Sequence, residues 1–528
     1  MSATRRRPRG LALVLLVALT GVLAGPSPLG PIRAVAAAKD SVTLVGGDPV
    51  TLDPAVQGDL GSAQATAQLF ETLTAFDPSL TLRPALASSW LAGDGGKTIT
   101  FTMRPDLKFS DGTPLGAQDV VRSWLRLINP AHPSPLASLL GEIHGAHAFL
   151  TGASSDASTI GLKAVGNTVV VTFDQPSTDF TALISGPSFG VVPASIDDPA
   201  TLTAGSFIGS GAYVLSARTS TELTFSANPD YWAGRAPIGT VHLLTTLGGQ
   251  SPVEAFEAGT VDYTGISDFD ASWLRYNPTV GPELRSVPSL SVTYYGFDVR
   301  QKPFDDPRVR QAFGAAVDWT RIVSLANSGS LAPATSMVPP GMPGRSTGNF
   351  LPKYDPAAAR QELAAAGYPG GVGLPPITFV STDTGFDAAI LADLHRNLGV
   401  TLAYESMGFN DYFNRLASDP PAFWTLSWVA DYPGANDFLG LLLGTGSSNN
   451  YGHWSSAEFD AAIARATAAT DPASATAAFD DAQAIVQRDV PVIPVAYGTG
   501  SALSRTGLLG ASDNGLGILR FASLAWAQ

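Results

Sequence analysis

The sequence contains no cysteine, only six histidines and few charged residues. Without cysteine the chain forms no disulfide bonds, so its stability must come from a hydrophobic core. Charged residues make up 14% of the chain and hydrophobic residues 45%, a composition typical of a well-buried globular protein. Because histidine is scarce and cysteine absent, little material is left for a dedicated transition-metal site, and we expect no metal and no cofactor.

Positive charge is also scarce, since 31 Lys and Arg face 45 Asp and Glu, giving a formal net charge of −14. A strongly acidic protein is a poor match for nucleic acid or for an anionic membrane surface. We therefore expect no nucleic-acid partner.

Long apolar runs are missing after residue 38, where none approaches the roughly 20 residues of a membrane span. Before that point, four arginines among residues 5–9 precede an apolar run over 11–23, and small residues follow. This order is typical of a secretory signal, so we expect residues 1–38 to be a signal peptide that is removed on export. The alternative is an uncleaved membrane anchor, for which the run is short.

Strand and helix patterns alternate along the whole chain, which predicts an α/β protein. Ile99, Phe101 and Met103 alternate with threonines, as in a half-buried strand, and the apolar residues from Val121 to Ile128 follow helical spacing. With 528 residues the chain is too long for one core, so we expect at least two lobes.

Helix starts are marked by residues that cap helices. An Asp-Pro pair predicts a helix after Asp306, Asp355 and Asp471, because Asp caps and Pro suits the first helical position. Ser455 with Glu458 predicts a further start as a capping box.

A series of motifs in a fixed order resembles one known family. The stretch from Leu69 to Pro130 resembles the signature region of the extracytoplasmic solute-binding proteins of ABC importers, family 5, the peptide-binding family. Seven further matches follow the family's order: LDP at 52–54, GSGAY at 209–213, NPDYW at 228–232, GFDVRQKPFDDPRVRQAFGAAVD at 296–318, PPGM at 339–342, WVADYP at 428–433 and VPVIPV at 490–495. The region from Asn129 to Leu140 resembles the oligopeptide-binding branch.

The resemblance implies a type II periplasmic-binding-protein fold, in which two lobes joined by a hinge carry an extra domain (cluster C-like). Ligand binding would close the lobes. The implied boundaries are 39–75, 200–290 and 495–528 for lobe I, 76–199 for an extra domain packed on lobe I, and 291–494 for lobe II.

The same resemblance implies a peptide site. In oligopeptide-binding relatives the Asp of the WVADYP-like motif, here Asp431, pairs with the α-ammonium of the ligand, a charge-assisted contact. Trp428, Val429 and Ala430 would lie along the peptide backbone, with Tyr432 beside them. The alternative is a purely structural role, with Asp431 in a surface turn and Trp428 in the hydrophobic core.

Two positions depart from the family's enterobacterial members. Ser62 stands where they carry an acidic residue near the ligand, and Thr425 stands where they carry a basic one. We keep Ser62 as a candidate ligand-binding residue, while the missing cation puts a fixed ligand length in doubt. Many relatives are lipoproteins held by a cysteine, which this chain lacks, so we expect an exported protein without a lipid anchor.

The resemblance implies a carrier rather than an enzyme, working as a monomer with a peptide ligand and with permease and ATPase subunits. The alternatives are the same fold binding a nickel chelate, haem or another non-peptide solute, and a sensory or chaperone role.

Three other patterns are weaker indications of a functional site. Residues 186–190 fit the G-x-S-x-G pattern around Ser188, but extended-looking residues follow where a hydrolase needs a helix. Residues 95–98 resemble the end of a phosphate loop but precede a strand. Glu142, His144 and His147 have metal-ligand spacing, although such histidines are more often surface residues.

Overall fold

The structure is a computed structural model that describes residues 39–77, 79–196, 207–326, 331–469, 471–512 and 515–527. The predicted signal peptide at residues 1–38 lies outside the described residues, as do residues 200–206 of predicted lobe I.

Strands occur from the first to the last described segment. The strands are β1 (Ser41–Val45), β2 (Thr74–Phe76), β3 (Leu82–Pro84), β4 (Ala87–Gly93), β5 (Thr98–Met103), β6 (Leu162–Val165), β7 (Thr168–Thr172), β8 (Tyr213–Arg218), β9 (Glu222–Ala227), β10 (Thr240–Leu244), β11 (Tyr263–Ile266), β12 (Leu284–Phe297), β13 (Leu331–Pro333), β14 (Thr378–Ser381), β15 (Ala403–Ser406), β16 (Phe423–Val429), β17 (Val492–Ser504), β18 (Leu508–Leu509) and β19 (Ala525–Trp526).

Helices are interleaved with these strands, so the α/β prediction is confirmed. The helices are α1 (Leu60–Leu69), α2 (Ala117–Leu127), α3 (Ala146–Leu150), α4 (Phe180–Leu183), α5 (Pro252–Glu257), α6 (Asp268–Leu274), α7 (Pro307–Ala316), α8 (Trp319–Ala326), α9 (Pro356–Ala365), α10 (Asp387–Leu398), α11 (Phe409–Ser418), α12 (Ala435–Phe438), α13 (Gly440–Leu443), α14 (Ala457–Thr467) and α15 (Pro472–Asp489). None of the helices within the described ranges is long and apolar enough to span a bilayer.

One eleven-stranded sheet runs through the molecule in the order β15-β14-β16-β12-β17-β11-β1-β10-β9-β8, with β13 added on β17. Its two long strands, β12 and β17, pair antiparallel along most of their length, and their register shifts between Pro288 and Val292. A separate four-stranded sheet has the order β4-β5-β7-β6. Residues 95–97 lie in the turn between β4 and β5, and Thr98 begins β5, so these residues form a hairpin connection and not a phosphate loop.

Buried apolar residues form several clusters. One joins residues 42–70, 192–243 and 508–524, and a second lies within 295–496. A third runs without a break from residues 73–191 into residues 290–497, so the predicted extra domain also packs on predicted lobe II. The predicted domain boundaries themselves stay a prediction.

Most predicted elements are found. Ile99, Phe101 and Met103 are buried on β5, and helices begin directly after Asp306, Asp355 and Asp471, whose side chains accept backbone N–H groups. Each helix begins at this point because the Asp carboxylate accepts a backbone N–H of the first turn, which has no partner within the helix.

The capping box predicted at Ser455 is wrong. The N-cap is Ser456, whose side chain accepts the N–H of Phe459, and α14 begins at Ala457. The Ser455 hydroxyl instead accepts a hydrogen bond from Thr445. Two adjacent serines fit the same pattern, and the loop contact with Thr445 decides between them.

Replacing Gly296 by alanine should destabilise the protein. Gly296 lies on β12 opposite Trp424 of β16, and a Cβ at Gly296 would overlap the indole ring. Overpacking of a core typically costs about 1–3 kcal/mol of unfolding free energy. Urea unfolding measures the change, with Gly265→Ala as control, because a Cβ on that β11 glycine meets nothing within 4 Å. Equal stability of the two variants would show that the packing at Gly296 is not tight.

Candidate functional site

The WVADYP motif begins in the last residues of strand β16 and borders a cavity. Trp428, Val429, Ala430 and Asp431 all line this cavity, whose volume is about 250 Å³. The structure therefore brings together four of the six residues that the sequence analysis singled out.

The cavity, which we call the cleft cavity, is walled by segments that are far apart in the sequence. The described residues that line it come from 57–63, Leu136, 409–413, 426–431 and 516–518. These segments belong to predicted lobe I, the predicted extra domain and predicted lobe II. The cavity is thus the place where the predicted units meet.

Asp431 carries a carboxylate oxygen that has no partner. Its Oδ2 is buried and makes no hydrogen bond to any described residue. Its backbone N–H donates to Asp437 Oδ2 at 3.2 Å, which fixes the loop. Burial raises the pKa of Asp431 to about 7, because water no longer stabilises the charge. A buried carboxylate in this state is stabilised by a cation that enters the cavity.

Asp437 fixes the position of the motif through hydrogen bonds to two of its residues. Its Oδ2 accepts hydrogen bonds from the indole N–H of Trp428 at 3.1 Å and from the backbone of Asp431. Burial raises the pKa of Asp437 well above its ordinary value, and the neighbouring Asp431 raises it further. Two carboxyl groups so close in a dry site favour a shared proton or a bound cation.

Tyr432 points away from the cleft cavity. It is fully buried, and its hydroxyl donates to Asp179 Oδ2 at 3.0 Å, which links predicted lobe II to the predicted extra domain. Burial raises the pKa of Asp179, and burial together with Asp179 raises the pKa of Glu142 to about 8. Tyr432 therefore supports the loop, and direct ligand contact by Tyr432 stays a prediction.

Ser62 does not line the cleft cavity. It is fully buried at the start of α1, and its hydroxyl accepts the N–H of Thr51 at 3.0 Å. Its neighbours Asp59, Leu60 and Ala63 line the cavity instead. A ligand role for Ser62 stays a prediction. Thr425 is buried as well, and its hydroxyl donates to the carbonyl of Tyr294 at 3.1 Å.

Beyond Trp424, no strand within the described ranges pairs with the edge of β16 that faces β14, and we call this the free edge. Strand β14 pairs with it only at Phe423 and Trp424, and the next backbone groups on that edge, those of Thr425, bond to the hydroxyl of Tyr412. The N–H of Ala430 points the other way, to the carbonyl of Leu290. Because backbone groups alternate along a strand, those of Ser427 and Val429 face the open edge.

Several lining residues were missed by the sequence analysis. Phe409 and Phe413 lie one turn apart on α11, with ring centroids 6.0 Å apart in a stacked arrangement, and both line the cleft cavity. Leu136, Leu516 and Ile518 line it from other segments. The aromatic pair at i and i+4 was a visible signal, but this spacing also occurs in ordinary core helices.

In the part of the chain that the structure describes, Ser188 has no partner suited to nucleophilic catalysis. It is buried in a short 3-10 turn, and its hydroxyl accepts a hydrogen bond from the side-chain amide of Gln57 at 2.5 Å. Activation of a serine needs an adjacent base, and an amide N–H donor is not one.

Two of the three candidate metal ligands bond to other groups. Glu142 accepts a hydrogen bond from Ser177 at 2.9 Å, and the exposed His144 contacts Asp174 at 2.6 Å. Within the described ranges no group of three or more His, Asp or Glu side chains could hold a metal ion.

Comparison with known proteins defines the class. The model of the bacterial extracellular solute-binding proteins, family 5, matches residues 81–450. This chain belongs to that family of solute-binding proteins.

Individual relatives extend over most of the chain. It is 30% identical to the probable deoxycholate-binding periplasmic protein YgiS of Escherichia coli, covering 85% of this chain and 86% of that protein. It is 28% identical to the periplasmic oligopeptide-binding protein OppA of Escherichia coli, covering 92% and 93%.

Solved structures confirm the predicted type II fold. The murein tripeptide binding protein MppA of Escherichia coli superposes with a TM-score of 0.85 at 25% identity, covering 93% of this chain and 99% of that chain. The unliganded open form of MppA gives only 0.67, also at 25% identity, covering 92% and 97%. The described residues thus superpose less well on that open form than on the first MppA structure.

The raised pKa of Asp431 predicts a pH effect on the ligand-free protein. Its pKa is about 7 when folded and ordinarily 3.8, so the folded chain holds a proton that the unfolded chain releases. This contribution to stability is complete below about pH 4 and is lost as the pH rises through about 7. The variant Asp431→Asn has no carboxyl group at this position and therefore does not lose this stability. Its melting temperature should exceed that of the wild type by a margin that grows from about pH 5 to about pH 8.

Asp411→Asn, which changes an exposed carboxylate on α11, is the control. A melting-temperature difference for Asp431→Asn that stays constant with pH, or that matches the control, would contradict the burial of the Asp431 charge.

Proposed function

We propose that this solute-binding protein captures peptides in the cleft cavity and delivers them to an ABC permease. The observation that carries the proposal is the buried Oδ2 of Asp431, which has no partner among the described residues and lies at the end of a strand with a free edge. An ammonium group is the cation of matching size and geometry.

The free edge of β16 supports an extended peptide as the ligand. A peptide that adds to this edge would exchange main-chain hydrogen bonds with Ser427 and Val429, and these bonds do not depend on its sequence. Its α-ammonium would then reach Asp431, two residues further along. OppA and MppA, named for an oligopeptide and a murein tripeptide, support this class of ligand.

The remaining parts of the proposal concern how the protein works. It breaks no bond, since the chemistry of transport belongs to ATPase subunits, and it acts as an exported monomer that uses no lipid anchor. The long strands β12 and β17 cross between the lobes and would form the hinge. We keep the predicted units, which are lobe I at 39–75, 200–290 and 495–528, the extra domain at 76–199 and lobe II at 291–494.

A non-peptide solute is the second candidate, favoured by the name of the relative YgiS and by the apolar lining of the cleft cavity. Deoxycholate carries a carboxylate, however, which Asp431 and Asp59 on the cavity wall would repel. The charge of the site therefore favours a ligand with an amine.

Native mass spectrometry of protein purified without denaturation tests the proposal. We expect a bound mass that fragments as a set of peptides. Asp431→Asn should lose most of it, because removing one partner of a buried charge pair typically costs about 2–5 kcal/mol, more than tenfold in affinity. Asp411→Asn should keep it. A single non-peptide mass retained by Asp431→Asn would overturn the proposal.

A further inference from the structure

We infer that the cleft cavity selects peptides whose first residue carries a large apolar side chain and rejects those that begin with an acidic residue. This inference rests on the proposed function and names the part of the ligand that the site discriminates.

The walls of the cavity are apolar and partly uncovered. Leu136, Leu426 and Leu516 line it together with the stacked pair Phe409 and Phe413. Phe409 is 53% exposed, and Leu60, which also lines the cavity, is 47% exposed. Two large apolar side chains that face one cavity and stay open to water are typical of a surface that a ligand covers.

The charges on the cavity have one sign. Of the described residues that line it, the charged ones are Asp59 and Asp431. Asp437 accepts the backbone N–H of Asp431 and brings no positive charge to the site. A ligand carboxylate placed here would lose its water and meet acids, which is strongly unfavourable.

Arg520 is a cation that could offset the negative charge of the site, because it lines a small adjoining cavity of about 30 Å³ together with Asp431. Its guanidinium donates to the carbonyl of Ala67 at 2.9 Å and lies 3.8 Å from Glu71. Its charge is thus engaged on predicted lobe I, and Arg520 is absent from the lining of the cleft cavity.

The position of Asp431 assigns the cavity to the first residue of the ligand. The α-ammonium and the first side chain share one carbon atom, so an ammonium held at Asp431 places that side chain in the cavity that Asp431 lines. A volume of about 250 Å³ is smaller than the ~300–1,000 Å³ of sites that enclose whole drug-sized ligands. It therefore suits one side chain of a longer ligand.

Isothermal titration calorimetry with three tetrapeptides tests the inference. Phe-Ala-Ala-Ala, Ala-Ala-Ala-Ala and Glu-Ala-Ala-Ala differ only in their first residue. We expect the first to bind about tenfold or more tightly than the second, as burial of an aromatic side chain allows. The third should bind more weakly than both.

Phe409→Lys provides the sharper test. It places a cation on the apolar wall, and the exposure of Phe409 makes the change tolerable for folding. This variant should bind Glu-Ala-Ala-Ala more tightly and Phe-Ala-Ala-Ala more weakly than the wild type. Phe269→Lys is the matched control, because Phe269 is 74% exposed on α6 and does not line the cavity. It should leave the ranking unchanged.

The outcomes separate the inference from the proposed function. Binding of all three tetrapeptides with equal affinity would overturn the inference and leave peptide capture standing. Tighter binding of the Glu peptide by the wild type would also overturn it. Binding of none of the three, with peptides absent from the native protein, would overturn both.

Discussion

The site depends on one buried acid, the carboxylate of Asp431, whose Oδ2 has no partner among the described residues. Such a group is costly in a ligand-free protein, and the cost is recovered when a cation binds. Asp437 adds to this free-energy cost, because it fixes the backbone of Asp431 and places a second buried acid beside it. Affinity for an amine and reduced stability of the empty protein thus have the same physical origin.

The surrounding fold brings this carboxylate to a junction. Strands β12 and β17 form one continuous sheet across the predicted lobes, and β16 extends from it to the cavity. On the other side, Tyr432 bonds to Asp179, and the carbonyl of Pro135 accepts hydrogen bonds from Ser448 at 2.5 Å and Asn449 at 3.0 Å. These contacts tie the predicted extra domain to predicted lobe II.

Sequence patterns predicted the fold class and the backbone of the site, because capping residues, strand periodicity and motif order are local signals. Asp431 was predicted from the resemblance of its motif to the family. The apolar wall was not predicted, since Phe409 and Leu60 come from distant segments, and the spacing of Phe409 and Phe413 also fits a core helix. Ser62 is absent from the lining although Asp59, Leu60 and Ala63 belong to it, because neighbouring positions on a helix such as α1 face different directions, and its ligand role stays a prediction.

A crystal structure of the mature protein with the ligand that it retains through purification tests the account most directly. We expect an ammonium nitrogen within about 3 Å of Asp431 Oδ2, and main-chain hydrogen bonds from the ligand to Ser427 and Val429. A ligand bound elsewhere, or one that presents an anion or an apolar group to Asp431, would contradict it.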